Sequence, residues 1–256
     1  MTRILTLMTL ALIAVASIAA APTAMDKAAQ DYNQELYNKA LAAYLAQAKT
    51  GEVSAGLYYN IGNTYYRLKD NAHAILYYER ALLLEPGNSD ARYNLDFVRT
   101  RAGIDQEQGS NILVVWIESA VGRLSSNAWA YIALAAFLLM LAAIAAYIWL
   151  DTVAWRKVGF FGAIVALLVT MVSMVCAWHM RARAQGHNQA IVITGPTALS
   201  TSPRTPKDKT EVAFELTPGF KVTIIDRVTT AGAVWCHVET ANRRQAWINA
   251  RDIEVI

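Results

Sequence analysis

The stretch AGLYYNIGNTYYRLKDNAHAILYYERALLLEPGN, residues 55–88, decides how the N-terminal half of the chain folds. Small residues at Gly62, Ala74 and Ala81 alternate with large ones at Tyr58, Tyr65 and Tyr78. That pattern suits two antiparallel helices whose backbones approach at the small positions while the tyrosines fill the space beside them. Lys69-Asp70-Asn71 makes the turn between the helices, and Pro86-Gly87 stops the second one.

An offset of 34 residues extends the pattern: Ala40 and Tyr44 precede Ala74 and Tyr78 by that distance, and Tyr32 precedes Tyr66. Ala55–Pro86, with Tyr in place of an opening Trp, resembles the tetratricopeptide repeat. A degenerate first repeat is expected over Ala21 to Ser54, and Ala91 to Arg101, with Leu95 in register, reads as the opening helix of a further unit that caps the array. The repeat domain is expected over 22–110. The resemblance implies a protein-binding concave face presenting Tyr59, Asn63, Tyr66 and Arg67. Asn63 there either hydrogen-bonds a peptide backbone or is simply a common residue at its position. Tyr66 either stacks on a ligand or packs on a neighbour.

Working outward, the chain becomes apolar in blocks. Of its 256 residues 55% are hydrophobic and only 17% charged, below the roughly 25% of an ordinary soluble domain. Ser125 to Leu150 and Val158 to Trp178 carry no charge. Each is long enough, at 1.5 Å rise per residue, to span a bilayer core of about 30 Å. Transmembrane helices are expected over 127–150 and 158–180, joined by a short loop, 151–157, whose Arg156 and Lys157 mark it as cytoplasmic. Arg181 and Arg183 beyond the second span nearly balance that bias. The start of the chain breaks the tie. Arg3, an apolar run from Ile4 to Val15 and the small-residue end from Ala16 to Ala21 have the layout of a secretory signal peptide over 1–21, or of an uncleaved anchor; the small residues favour cleavage. Either reading sends both larger segments to the periplasmic side. Residues 111–124, with Leu113, Trp116, Ile117, Val121 and Leu124, fit an amphipathic helix on the membrane surface, or a helix packed on the repeat domain.

After a polar linker, 181–189, the pattern changes to short β segments: Ala190-Ile193, Val222-Ile225 and Val234-Val238. Ala198-Leu199-Ser200, Leu216-Thr217-Pro218-Gly219, Trp235-Cys236-His237-Val238 and Ala246-Trp247-Ile248 resemble the successive strands of a bacterial SH3-like domain, and an all-β SH3-like barrel is expected over 190–256. Two departures stand out: Ala246 replaces the usual Gly before Trp, and the long polar loop from Ser200 to Lys209 is expected to disorder one binding edge. Alternation puts Cys236 and Val238 in the core and Trp235 and His237 on the opposite face. Trp235 and Trp247 line a groove for peptide or cell wall, or fill structural space.

A catalytic centre is not expected. The chain lacks G-x-S-x-G, a phosphate-cradling glycine loop and H-E-x-x-H. His73, His179, His187 and His237 are dispersed, so neither metal nor cofactor is expected. Cys176 sits in an apolar segment and is not placed to bridge Cys236. Glu79 and Glu85 read as ordinary helix-surface carboxylates. The net charge of +3 is too small to argue for nucleic acid.

The combination of modules resembles the BatE family, the tetratricopeptide members of the bacterial aerotolerance operon. The resemblance implies an inner-membrane scaffold acting beside von Willebrand-type membrane proteins and a MoxR-type ATPase, with peptidoglycan as a second candidate ligand. The expected fold class is therefore a multidomain membrane protein: an all-α tetratricopeptide repeat, a two-helix transmembrane hairpin and a C-terminal all-β SH3-like barrel.

Overall fold

The computed structural model of the chain describes residues 24–104, 121–186 and 188–256. The signal-peptide reading lies outside them, as does most of the juxtamembrane segment. The chain divides into two compact units at Val53 and Ser54.

The first unit contains a helix pair, α1 (Ala24–Asn33) and α2 (Tyr37–Lys49). Glu35 takes a left-handed backbone in the turn, at φ 62°. Ala40 and Tyr44, the residues found by the 34-residue offset, are buried, and Tyr32 meets Tyr37 edge-on at 5.4 Å. Asp31 is buried and accepts from Lys39 Nζ at 3.0 Å.

The second unit opens with α3 (Ala55–Arg67), α4 (Asn71–Leu84) and α5 (Ser89–Arg101). Each helix is capped by its own sequence. Ser54 Oγ accepts from Leu57 N, Asp70 Oδ1 from His73 N and Asn88 Oδ1 from Ala91 N, at 3.1, 3.1 and 2.9 Å. The small-against-large pattern is realised at Gly62: a Cβ there would lie 2.8 Å from the Tyr78 ring. Ala74, Ala81 and Leu95 are buried with Ile61, Ile75 and Leu76. Helix α4 stops at Leu84, two residues before Pro86.

Two long apolar helices follow, α6 (Ser126–Trp149) and α7 (Val153–Gln185). Both are long and apolar enough to cross a membrane. They pack as a hairpin along a seam of Ala133, Ala136, Ser173, Cys176 and Met180, all buried, while neighbouring Leu, Val and Phe side chains face outward. At Gly159 the backbones come so close that a Cβ would lie 2.6 Å from the Ala143 carbonyl oxygen. The second helix is longer than the expected 158–180. It absorbs most of the predicted loop, leaving 150–152, and half of the predicted linker. No proline interrupts this stretch, and long basic side chains can reach polar surroundings from within a helix; Arg156 lies 5.2 Å over the Tyr147 ring. The described end of the juxtamembrane segment meets the repeat: the Arg123 carbonyl would be 3.0 Å from a Cβ at Gly87.

The C-terminal residues form one antiparallel sheet of β1 (Gln189–Val192), β2 (Thr197–Ser200), β3 (Val212–Leu216), β4 (Lys221–Thr230), β5 (Ala233–Glu239), β6 (Gln245–Asn249) and β7 (Ile253–Val255), in the order β3-β2-β6-β5-β4-β1-β7. The sheet curls round a single core. Leu216 from one end strand and Ile253 from the other share it with Val192, Leu199, Val222, Cys236, Val238 and Ile248. The expected barrel is nevertheless not closed, because no ladder joins β3 to β7. Two features accompany the opening. Strand β2 meets β6 through a single pair, Ser200 with Trp247, and slips register against β3. The carbonyl of Val255 in β7 is taken by Arg80 of α4 at 2.5 Å rather than by a strand. The polar loop expected to disorder a binding edge is instead tied down: Arg204 Nη2 donates to Glu211 Oε1 at 2.5 Å, Lys207 N to Glu211 Oε2 at 2.9 Å, and Asp208 caps the turn Lys209–Glu211.

Candidate ligand-binding faces

Helix α3 carries all four residues expected on the concave face, and α5 lies beside it. Asn63 Oδ1 accepts from Tyr78 Oη at 2.7 Å and from Asn94 Nδ2 at 2.9 Å. Asn94 also donates to Tyr59 Oη at 3.3 Å. The Asn63 carbonyl and the Tyr59 hydroxyl are thus engaged within the fold, which fixes the spacing of α3 and α5. Tyr66 meets Phe97 edge-on at 5.9 Å, and Phe97 stacks on Tyr93 at 6.5 Å. Tyr93 is 70% exposed and Phe97 42%. Arg67 is exposed at the end of α3. The apolar part of this face that meets solvent therefore lies on α5, at two positions the sequence reading passed over. Their i, i+4 spacing on a helix read only as a cap was the available signal.

Behind that face, Tyr65 stacks on both His73 and Tyr77, at 4.8 and 5.5 Å. Burial, then the neighbouring Tyr77 and Asp70, push the Tyr65 hydroxyl up to about 12. His73 Nδ1 lies 2.7 Å from Asp70 Oδ2, and this hydrogen bond holds the imidazole above its ordinary value against the effect of burial.

The same helix, α4, joins the repeat to the sheet. Glu79 is not a surface carboxylate: its side chain is 13% exposed and lies between Arg99 of α5 and Lys221 of β4. Burial alone would raise its pKa, but Lys221 first and Arg99 second outweigh it and bring the group down to about 2. Arg80 reaches Glu254 at 3.0 Å as well as the Val255 carbonyl, its guanidinium 5.0 Å from the Tyr77 ring centroid. Spacing along one helix could not reveal a partner 142 residues away.

On the sheet, Cys236 and Val238 belong to the core, as alternation requires, and Cys176 and Cys236 are free thiols. Burial raises the Cys236 thiol, partly offset by Arg227. Trp235 faces away from that core yet is only 6% exposed, so it is not an open groove wall. Trp247 is half-buried and stacks on His237, its cross-strand partner, at 4.8 Å. An open cleft of about 680 Å³ lies between the Thr194–Ala198 turn and the Thr205–Lys209 loop, with Lys207, Asp208 and Asp252 in its walls. Among the described residues no group of three or more His, Cys, Asp or Glu side chains is placed to hold a metal ion.

Residues 55–88 match the tetratricopeptide repeat. Residues 183–254 match the GW (Gly-Tryp) dipeptide domain. Comparison with curated proteins gives no significant match. The two matches suggest protein-binding and cell-wall-binding roles, beside two helices that are long and apolar enough to cross a membrane.

Proposed function

We propose that the chain is a non-catalytic inner-membrane adaptor whose repeat and GW-like sheet both stand on the periplasmic side. The observation that carries this reading is the exposed pair Tyr93 and Phe97 on α5, packed against Tyr66 of the segment that matches a tetratricopeptide repeat. A common side for the two modules is supported by their contact through Glu79 and Lys221, since the helix hairpin returns the chain to the side it left. The periplasmic choice rests on the signal-like start and on Arg156 and Lys157 in the turn region. Partners drawn from the aerotolerance operon, von Willebrand-type membrane proteins first, follow from the family resemblance alone.

In-cell crosslinking and purification of the intact protein, beside a Tyr93→Ser/Phe97→Ser variant, tests the adaptor reading. These residues are the better choice because Tyr59 and Asn63 are engaged internally. A membrane or periplasmic protein captured by the parent and lost in the variant supports it; the same set from both refutes it. The second reading, a wall-binding tether, is favoured by the GW match and by the Trp247–His237 stack. Retention on purified peptidoglycan that is lost in Trp247→Ala would support that alternative.

A further inference from the structure

Two arginines at one end of the apolar hairpin lack a partner among the described residues. Ser126 Oγ donates to the Ala177 carbonyl at 2.9 Å, so the start of α6 lies against α7 near its end. Arg123 precedes that contact by three residues, and Arg181 follows it by one helical turn. Both are exposed, and neither guanidinium enters a hydrogen bond or ion pair among the described residues. From 121 to 186 the only side-chain carboxylate is Asp151, in the turn at the opposite end.

The fold fixes the place of Arg123. Trp129 Nε1 donates to the Val121 carbonyl at 3.1 Å, which folds the entering chain back over the start of α6. The Arg123 backbone abuts the turn after repeat helix α4: a Cβ at Gly87 would lie 3.0 Å from its carbonyl oxygen. That contact sets Leu84, 46% exposed, at the same end as Leu124, 36% exposed, and Trp178, 72% exposed. Uncovered leucine and tryptophan beside unpaired arginine suit the boundary between acyl chains and headgroups. Indole rings favour that level, and long basic side chains reach phosphate from it.

We propose that this end of the molecule binds anionic phospholipid headgroups, held by the Arg123 and Arg181 guanidiniums, with Leu84 and Leu124 resting at the apolar boundary. A planar guanidinium offers paired N–H donors to two phosphate oxygens. The negative potential of anionic lipid attracts each basic residue close to the surface. The repeat is thereby seated on the lipid as well as tethered to it. The site follows from a hairpin that crosses the membrane, as proposed above, whichever side the modules occupy.

The test uses the full chain reconstituted in phosphatidylcholine bilayers with a trace of lipid spin-labelled on the acyl chain, either phosphatidylglycerol or phosphatidylcholine. Electron paramagnetic resonance reads the motionally restricted fraction of each lipid at the protein surface. The parent should favour phosphatidylglycerol about fivefold, and potassium chloride should shrink that preference. Arg123→Gln/Arg181→Gln should bring it close to parity. Arg227→Gln/Arg251→Gln, which removes the same charge from the sheet, should keep the parental preference. A restricted fraction without preference in the parent, or equal loss in both double variants, overturns the proposal alone; equal loss would mean that net charge selects the lipid. If neither labelled lipid is restricted, the hairpin is not in the bilayer, and the membrane-crossing reading falls together with the site. Should Arg123→Gln/Arg181→Gln not reconstitute, the two single variants are compared instead, and parental preference in both is equally decisive against it.

Discussion

Glu79 and Lys221 are 142 residues apart in the chain and ion-paired at 2.9 Å. The pair ties helix α4 of the repeat to strand β4 of the sheet, and Arg99 completes a three-residue cluster. Because two cations share one carboxylate, the anionic form of Glu79 is favoured despite its burial.

That preference sets an acid limit. The carboxyl group ionises at about 2 in the folded protein against an ordinary value of 4.5. A depressed folded value contributes stability above the unfolded value and loses it as pH falls through the folded one. The contribution is on the order of 3 kcal/mol, at 1.36 kcal/mol per unit. Urea unfolding of the second unit should therefore weaken between pH 5 and pH 2, and Glu79→Gln should flatten that slope. An unchanged slope in the variant would mean that other carboxylates carry the acid sensitivity.

His73 titrates in the opposite sense. Its hydrogen bond to Asp70 and the charge of Asp70 favour the imidazolium, so its contribution to helix α4 is full below the ordinary value of 6.5 and fades as pH rises through the raised folded value. Nuclear magnetic resonance titration of His73 should show a midpoint above 6.5, and Asp70→Asn should bring it down. Asp70→Ala additionally removes the cap on α4, at a cost of about 1 kcal/mol. A midpoint unmoved by Asp70→Asn would rule out the carboxylate as the cause.

The contrast between these two sites explains what was legible in the sequence. The Asp70 turn, the Gly62 approach and the buried Ala40 and Tyr44 all follow from spacings within one helix pair, which a periodic pattern records. Core membership of Cys236 and Val238 likewise follows from strand alternation over three residues. In sequence Glu79 reads as a surface group because its helix looks solvated there; only the folded chain brings Lys221 to it. The open sheet was equally hidden. Strand closure depends on whether β3 reaches β7, and local composition says nothing about a ladder between strands so distant in sequence. The second apolar helix is longer than its uncharged run, because Arg156 and Lys157 mark a loop by composition but are helical in the fold.

Gly62 is the tightest point of the repeat. A methyl group there would lie 2.8 Å from two atoms of the Tyr78 ring and 3.3 Å from the Ala74 carbonyl oxygen. Tyr78 is 1% exposed and cannot swing aside. Gly62→Ala should therefore destabilise the repeat by about 1–3 kcal/mol, the usual cost of overpacking, despite the better helix propensity of alanine. Gly56→Ala, whose Cβ would meet nothing nearer than Ser54 Oγ at 4.0 Å, is the matched control and should be neutral or mildly stabilising. Equal melting temperatures for the two variants would contradict the packing argument.

Gly159 plays the same part between the apolar helices. Its added Cβ would sit 2.6 Å from the Ala143 carbonyl oxygen and 2.8 Å from the Tyr147 nitrogen, whereas one at Gly162 would keep 3.8 Å from the Ala143 methyl. Close backbone approach is how helices associate in lipid, where burial of apolar surface provides no drive. Gly159→Leu should push α6 and α7 apart, lowering disulfide crosslinking between cysteines placed across the seam at Ala133 and Ser173, which the hairpin register brings level. Gly162→Leu should leave that crosslinking near the parental yield.

The two tryptophans of the sheet separate structure from recognition. Trp235 and Trp247 lie on the same face of the β5–β6 ladder: Trp235 pairs with Asn249 and His237 with Trp247. Their exposure differs. Trp235, at 6%, is packed, so Trp235→Ala should cost about 3–5 kcal/mol whatever the sheet binds. Trp247 is half-buried and its ring is supported on one side by His237. Trp247→Phe preserves the stack and should hold the melting temperature within a few degrees, while Trp247→Ala should lower it less than Trp235→Ala does. If the face takes wall polymer, retention on purified peptidoglycan should fall in Trp247→Ala and persist in Trp247→Phe. Parental retention in a folded Trp247→Ala protein would remove this face from the wall-binding reading and leave the cleft beside Lys207 and Asp252 as the place to look on the sheet.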